Sequence, residues 1–287
     1  MDYSPSRSTS KQQPQDNSVM VIIQKILPNQ NYQAMALFVL ILASILTFWE
    51  VGANSGWFSP LMPSAKLTLS DFWGWVSNPF YVKGTNDLGI GWHLMTSLRR
   101  VAIGFSVGAA IAIPCGILVG LFPVISKAVD PFVQILKPVS PLAWLPIGLG
   151  LIKDSESTAI FVIAITSLWP TLINTKFGVS NVDPTYIDVT RTLGASQWRT
   201  ITRVILPAAA PSIVSGMRIS AGIAWLVIVA AEILIGGTGV GYFVWNEWNN
   251  LSITSIITAI LLIGAIGLII DRLFGLLQHW VSFGRES

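Results

Sequence analysis

The residues of this sequence best suited to chemistry on charge are arginines and carboxylates set among apolar neighbours. Arg218 and Glu232 lie inside one long apolar run, in helical register with Gly222, Trp225 and Val229. An ionisable residue inside such a run tends to face a protein interior or a wet path. Arg218 is therefore read in two ways. It supplies positive potential to a passing anion, or it snorkels to the nearer surface, about two turns past Pro211 at about 1.5 Å per residue. Glu232 is expected near the far end of the run, too distant for direct pairing with Arg218. Arg99 and Arg100 open an earlier run. They either gather anions by focused positive potential or anchor at an interface and pair with Asp87 or Glu232.

Catalytic and metal chemistry find no support. The sequence holds two histidines, His93 and His279, and one cysteine, Cys115, so a histidine-built metal site and an intrachain disulfide are not expected. It shows no nucleophile elbow and no carboxylate cluster. Gly236-Gly237-Thr238-Gly239-Val240-Gly241 lacks nucleotide-fingerprint spacing and reads as a turn.

A second polar feature is the stretch D-P-T-Y-I-D-V-T-R-T-L-G-A-S-Q-W-R-T-I-T-R-V-I-L-P, residues 183–207. It carries Arg191, Arg199 and Arg203 in a chain that is only 11% charged. Gly194 is placed to end a first short helix, Trp198 to anchor the next turn, and Pro207 to occupy the first turn of a long helix. Such a loop, held outside lipid, is expected to grip a partner.

The elements that must position these residues are membrane helices. The chain has 287 residues, 52% of them hydrophobic, and a mean hydropathy of +0.64. Its apolar runs approach the roughly 20 residues that cross about 30 Å of hydrocarbon, and they are continuous rather than alternating. Six spans are predicted near 34–51, 101–122, 131–152, 158–177, 208–235 and 253–277. Residues 1–30 read as a flexible tail. Residues 31–92 hold the first span and a long outer segment with Trp57, Trp73, Trp75 and Trp92, and residues 93–287 hold the core. The position of the first run, behind a polar tail, argues for a retained helix rather than a cleaved signal. Lys/Arg placement puts both termini and the 183–207 loop in the cytoplasm, with Arg99 and Arg100 against the bias. A formal charge of +3 is too small to imply nucleic acid.

Within the second span Gly104, Gly108, Ala112, Gly116 and Gly120 repeat every fourth position, a stripe that admits a neighbouring backbone. Pro131, Pro138, Pro141 and Pro146 break the third span. Backbone freed at membrane depth is tolerated inside protein or beside a wet cavity, so this span is expected in the interior.

From Asp188, with Gly194 six positions on and Val204-Ile205-Leu206-Pro207 closing it, the loop resembles the EAA loop of binding-protein-dependent ABC importer permeases. Asp188-Val189-Thr190 stands where Glu-Ala-Ala is usual, which keeps the carboxylate but uses slightly weaker helix formers. S-L-R-R-V-A-I-G-F (97–105), P-V-S-P-L-A-W-L-P (138–146), G-M-R-I-S-A-G-I-A-W (216–225) and A-A-E-I-L (230–234) resemble the nitrate/sulfonate/taurine branch. I-K-D-S-E (152–156) and S-L-W-P-T-L-I-N-T (167–175) look most like nitrate or bicarbonate permeases. The resemblance implies an all-α type I importer permease of six transmembrane helices in a bacterial plasma membrane. It implies that Asp188, Val189, Thr190, Arg191, Gly194, Ala195, Ser196, Leu206 and Pro207 couple to an ATPase. The implied partners are a second permease copy, two ABC ATPase subunits, an extracytoplasmic anion-binding protein and membrane lipid. The sequence has no Gly-Lys dipeptide and hence no Walker A loop, so ATP and Mg are expected on the ATPase subunits and no cofactor or catalytic residue here.

The expected pathway set is Arg218, Trp225, Glu232, Arg99 and Arg100. No single residue separates nitrate from nitrite, bicarbonate or a sulfonate. An ion-coupled carrier or channel would be expected to show an acid or histidine relay. Only Glu232 and Glu50 qualify.

Overall fold

The long apolar runs form helices throughout the computed structural model, which describes residues 30–84 and 87–282. The expected tail at residues 1–30 lies outside these but for Gln30. The chain divides into two units, residues 1–60 and 61–287. In the first, α1 (Gln30–Asn54) is closed by Trp57 and Phe58, whose ring centroids lie 6.5 and 6.0 Å from that of Phe48.

The second unit contains α2 (Ala65–Ser77), α3 (Ile90–Leu121), α4 (Pro123–Leu136), α5 (Trp144–Ile152), α6 (Ser155–Ser180), α7 (Pro184–Thr192), α8 (Gln197–Thr200), α9 (Leu206–Ile235), α10 (Val240–Asn249) and α11 (Ile253–Ser282). A 3-10 turn, Pro141–Ala143, precedes α5, and a π turn, Ile201–Ile205, joins α8 to α9. Among the described residues the only β pairing is an isolated bridge between Val82 and Leu88. Five helical stretches are long and apolar enough to cross a membrane, and a sixth span results if α4 and α5, bent by 87°, count as one.

α6 is the hub. The small residues of α3 face it: a Cβ on Gly104 would stand 2.7 Å from Ile163 Cβ, one on Gly116 2.6 Å from Thr175 Cβ, and one on Gly120 2.7 Å from Val179 Cβ. Side chains at these positions would push the helices apart, so the stripe sets their spacing. Because 104, 116 and 120 meet 163, 175 and 179 in rising order, α3 and α6 run parallel. The chain must therefore return between them, and the bent α4–α5 pair carries it back. α9 lies antiparallel on the other face of α6, where Gly178 meets Ser212 and Thr171 bonds Ser220 at 2.8 Å. α11 packs on α9 through Trp225, whose indole N–H donates to the Ile263 carbonyl at 3.0 Å. Buried hydroxyls on α6 bond back to their own helix, Thr166 to Val162 O at 2.6 Å and Thr175 to Thr171 O at 2.7 Å, so polar side chains sit in this core without lost hydrogen bonds.

Three expectations change. The second span starts at Ile90 rather than near 101, because the polar residues that lowered its hydropathy, His93, Ser97 and Arg100, are buried and bonded in protein. The helix of the fifth predicted span runs back beyond 208 to Gln197. Pro207 keeps its expected place in the first turn of α9, and the π turn just before it, where Leu206 N–H reaches Ile201 O, joins α9 to α8 without a break. Within this chain the third span is interior on one face only, through Val133, Leu145 and Gly148. Ser140, extended before Pro141, ends the run after α4, while Phe132, Ile135 and Leu151 are exposed.

Candidate functional site

At one end of the bundle the chain between α6 and α9 folds into a cantilever. The Asp183 side chain caps α7 by accepting the Thr185 N–H at 2.8 Å. Those Thr185 hydrogen bonds hold the Asp183 carboxyl below its ordinary value, so it is ionised at neutral pH beside the positive end of α7. α7 stops at Gly194, which has φ +69. Gly194 N–H bonds Arg191 O and Ala195 N–H bonds Thr190 O, both at 3.0 Å, the pair of bonds that closes a Schellman turn. Ser196 then caps α8, accepting Arg199 N–H at 3.4 Å. Thr200 Oγ1 donates to Thr190 Oγ1 at 3.2 Å and pins α8 to α7.

The predicted coupling residues thus divide by task. Gly194, Ala195, Ser196 and Thr190 shape the turn. Leu206 and Pro207 join it to the long helix. Asp188 and Arg191 form an exposed pair at 3.3 Å. Ile187 and Ile201 root the segment on Val179, Val182, Ile205 and Ala209. What remains outward is unusual for a polar loop: Tyr186, Val189, Leu193 and Trp198 are exposed, the last two at 78% and 74%. Exposed apolar side chains beside arginines have the composition of surfaces that meet other proteins. Beside it lies a cleft of about 480 Å³ lined by Phe177, Asn181, Asp183, Tyr186 and Ser212.

At the opposite end, Arg99 and Arg100 part company. Arg99 is exposed and pairs with Glu156 in the first turn of α6. Arg100, its side chain 8% exposed, pairs at 2.9 Å with Glu232, which is 1% exposed. Ser97 Oγ donates to the same carboxylate at 2.8–2.9 Å, and Gly241 N–H donates to Glu232 Oε2 at 3.0 Å. Arg100 also donates to the Thr238 carbonyl at 2.5 Å, and Val240 N–H to Ser97 Oγ at 2.9 Å. His93 Nδ1 lies 3.0 Å from Gly239 O and 3.2 Å from Gly239 N. The glycine turn 236–241 is therefore held from three sides by α3 and α9. A Cβ on Gly239 would collide with the Glu232 carboxyl.

The face expected to line a path is not brought together on one open surface. Trp225 and Glu232 are buried in protein, and Glu232 belongs to the cluster just described. Arg218 and Gly222 border an open cleft of about 500 Å³ with Ser215, Asp271 and Gln278. The Arg218 charge is matched there by Asp271, which accepts from Nε and Nη2 at 2.7 Å each. Sequence reasoning passed over Lys137, an ionisable residue within the predicted third span. The rule that singled out Arg218 and Glu232 applies equally to it. It also missed Asp271 as the partner of Arg218, since pairing across 53 residues leaves no local signal.

Residues 112–283, which include the cantilever, match the family described as binding-protein-dependent transport system inner membrane component. The chain belongs to that family. The permease is 42% identical over 243 residues, 84% of its chain and 86% of the relative, to the nitrate import permease protein NrtB of Synechocystis sp.. It is 41% identical over 241 residues, again 84% and 86% of the two chains, to the bicarbonate transport system permease protein CmpB of Synechocystis sp.. A chain of the MetNI methionine ABC transporter in an inward-facing conformation superposes with a TM-score of 0.58 at 16% identity, covering 66% of the permease and 94% of that chain. The permease is thus a multi-pass integral membrane protein with the type I importer fold, the membrane subunit of an ABC importer that works with ATPase and binding-protein partners.

Proposed function

We propose that this permease imports a small inorganic anion, nitrate or nitrite first, across a bacterial plasma membrane. The near-equal identity over 84% of the chain to NrtB and CmpB carries the anion class. Two copies pair with two ABC ATPase subunits, which bind ATP and Mg, and an extracytoplasmic anion-binding protein delivers the solute. The permease itself holds no cofactor and performs no hydrolysis. Its Lys/Arg bias supports cytoplasmic termini and a cytoplasmic cantilever.

The exposed tip formed by Val189, Leu193 and Trp198 docks in the ATPase. Closure of the ATPase pair then pulls α7, and because α8 runs through the π turn into α9, the pull reaches the bundle as rotation of one continuous helix. A bistable packing biased by nucleotide at a distance is the physical content of this coupling. Asp188 and Arg191 steer docking. Arg99 meets the anion at the outer mouth with its charge tempered by Glu156, and Arg218 meets it on the inner side tempered by Asp271. Neither becomes a deep electrostatic trap, which suits release. Trp225 and Glu232 act on the pathway by fixing α9.

A bicarbonate substrate is the second reading, favoured by the similarity to CmpB. Uptake by the reconstituted complex, with nitrate, nitrite, bicarbonate and taurine in competition, decides. Competition by nitrate and nitrite alone is the expected result. Uptake blocked only by taurine would remove the inorganic-anion assignment.

A further inference from the structure

The bend between α4 and α5 borders a cavity of about 180 Å³ whose lining includes Lys137, Trp144, Thr166, Trp169, Pro170 and Ile223. We infer that this cavity is the membrane-depth binding site of the transported anion, with the Lys137 ammonium and the indole N–H groups of Trp144 and Trp169 as its donors. The inference rests on the anion-import reading and supplies the site it lacks.

Depth comes first. Thr166 and Trp169 lie near the middle of α6, level with Gly108 of α3, whose added Cβ would strike Ser167. Ile223 is near the middle of α9. The cavity is therefore near mid-bundle, the level at which broken helices hold substrates in transporters.

Chemistry comes second. Among the described residues no aspartate or glutamate lines the cavity. Lys137 has no carboxylate within ion-pair distance among the described residues, whereas Arg99, Arg100, Lys176 and Arg218 each have one. Lys137 is exposed within this chain, so its stem is free to carry the ammonium over the mouth of the cavity. At mid-span a lysine without a counter-charge is expensive in lipid unless it faces a wet path that an anion visits. Two better-covered indoles of this unit use their N–H, Trp75 to Ser255 and Trp225 to Ile263 O. Trp144 and Trp169 are only partly exposed, yet among the described residues their N–H groups meet no protein acceptor. The Thr166 hydroxyl is already committed to Val162 O. Pro170 deprives the Thr166 carbonyl of its helical donor, an acceptor that suits the ammonium when no anion is present. One cation and two neutral donors around an apolar floor match a planar anion that offers acceptors only. The volume takes such an anion and a few waters at about 30 Å³ each. Indoles bind less tightly than a second cation would, so the anion leaves again.

The test uses the whole complex, permease with its ATPases and binding protein, in proteoliposomes. Uptake and binding-protein-stimulated ATP hydrolysis are measured against nitrate and bicarbonate concentration. Lys137→Gln is expected to lower anion uptake per ATP by about tenfold or more while stimulated hydrolysis persists, and Lys137→Arg to recover most of it. The Trp144→Phe/Trp169→Phe double variant keeps both rings and removes only the donors. It is expected to lose several-fold in uptake, and it tests the site should Lys137→Gln fail to assemble. Wild-type uptake of an inorganic anion, with either variant within twofold of it, would overturn the site and leave the import reading standing. A wild-type complex that moves neither anion would overturn both.

Discussion

Replacing Glu232 by glutamine removes one charge from a pair that is sealed inside protein and ties α9 to α3. Arg100, its side chain 8% exposed, would keep its bond to Thr238 O but lose the one carboxylate within ion-pair distance of it among the described residues. Breaking one side of a buried ion pair costs about 3–5 kcal/mol, and the surviving Thr238 contact places this case near the lower bound, about 3 kcal/mol. Arg100→Met leaves the carboxylate with Ser97 and Gly241 as donors and is expected to cost about the same. The double variant strands neither charge and should be no worse than either single change, since neutral replacement of a buried pair is often harmless. The two sites are thus coupled by about 3 kcal/mol. Thermal unfolding of the purified complex, followed by tryptophan fluorescence, reads this as a drop of about 5 °C for each single variant and no further drop for the double. Single costs that add to within about 0.5 kcal/mol would refute the reasoning, because additivity is what unconnected sites show.

Gly194→Ala should place about 1–2 kcal/mol of strain on the turn, since the position sits at φ +69 while nothing lies within 4 Å of the added Cβ. The expected outcome is ATP hydrolysis that continues with less uptake per ATP, and Gly194→Asn, which tolerates this backbone better, should recover part of the ratio. Asp183 predicts a pH response with a definite sign. Its folded carboxyl lies below the ordinary value of about 3.9, so its capping contribution is complete above that value and is lost as pH falls through the lower, folded one. Protease sensitivity of residues 183–207 should be flat from pH 7 to about 5 and rise only in strong acid, and Asp183→Asn should remove that rise.

The sequence by itself determined the helical class, the near-complete set of spans, the small-residue stripe and the punctuation of the cantilever. These are local properties. Hydropathy over 20 residues, glycine every fourth position, and Asp183, Gly194 and Ser196 at cap positions act through their nearest backbone, so one strand of text carries them. The bent third span was legible as four prolines, but its exposure was not, because kinking says nothing about which side a neighbour covers. The start of α3 was misjudged for a related reason. His93, Ser97 and Arg100 lower hydropathy whether or not they find partners, and their partners, Glu232 and the 238–240 turn, lie more than 130 residues away. Only the tertiary structure decided that two adjacent arginines face different worlds, that Arg218 is paired with Asp271, and that Lys137, near mid-bundle, meets no carboxylate within ion-pair distance among the described residues. Charge is long-ranged and insensitive to sequence order, so the meaning of each arginine or lysine depends on which distant carboxylate the fold brings to it.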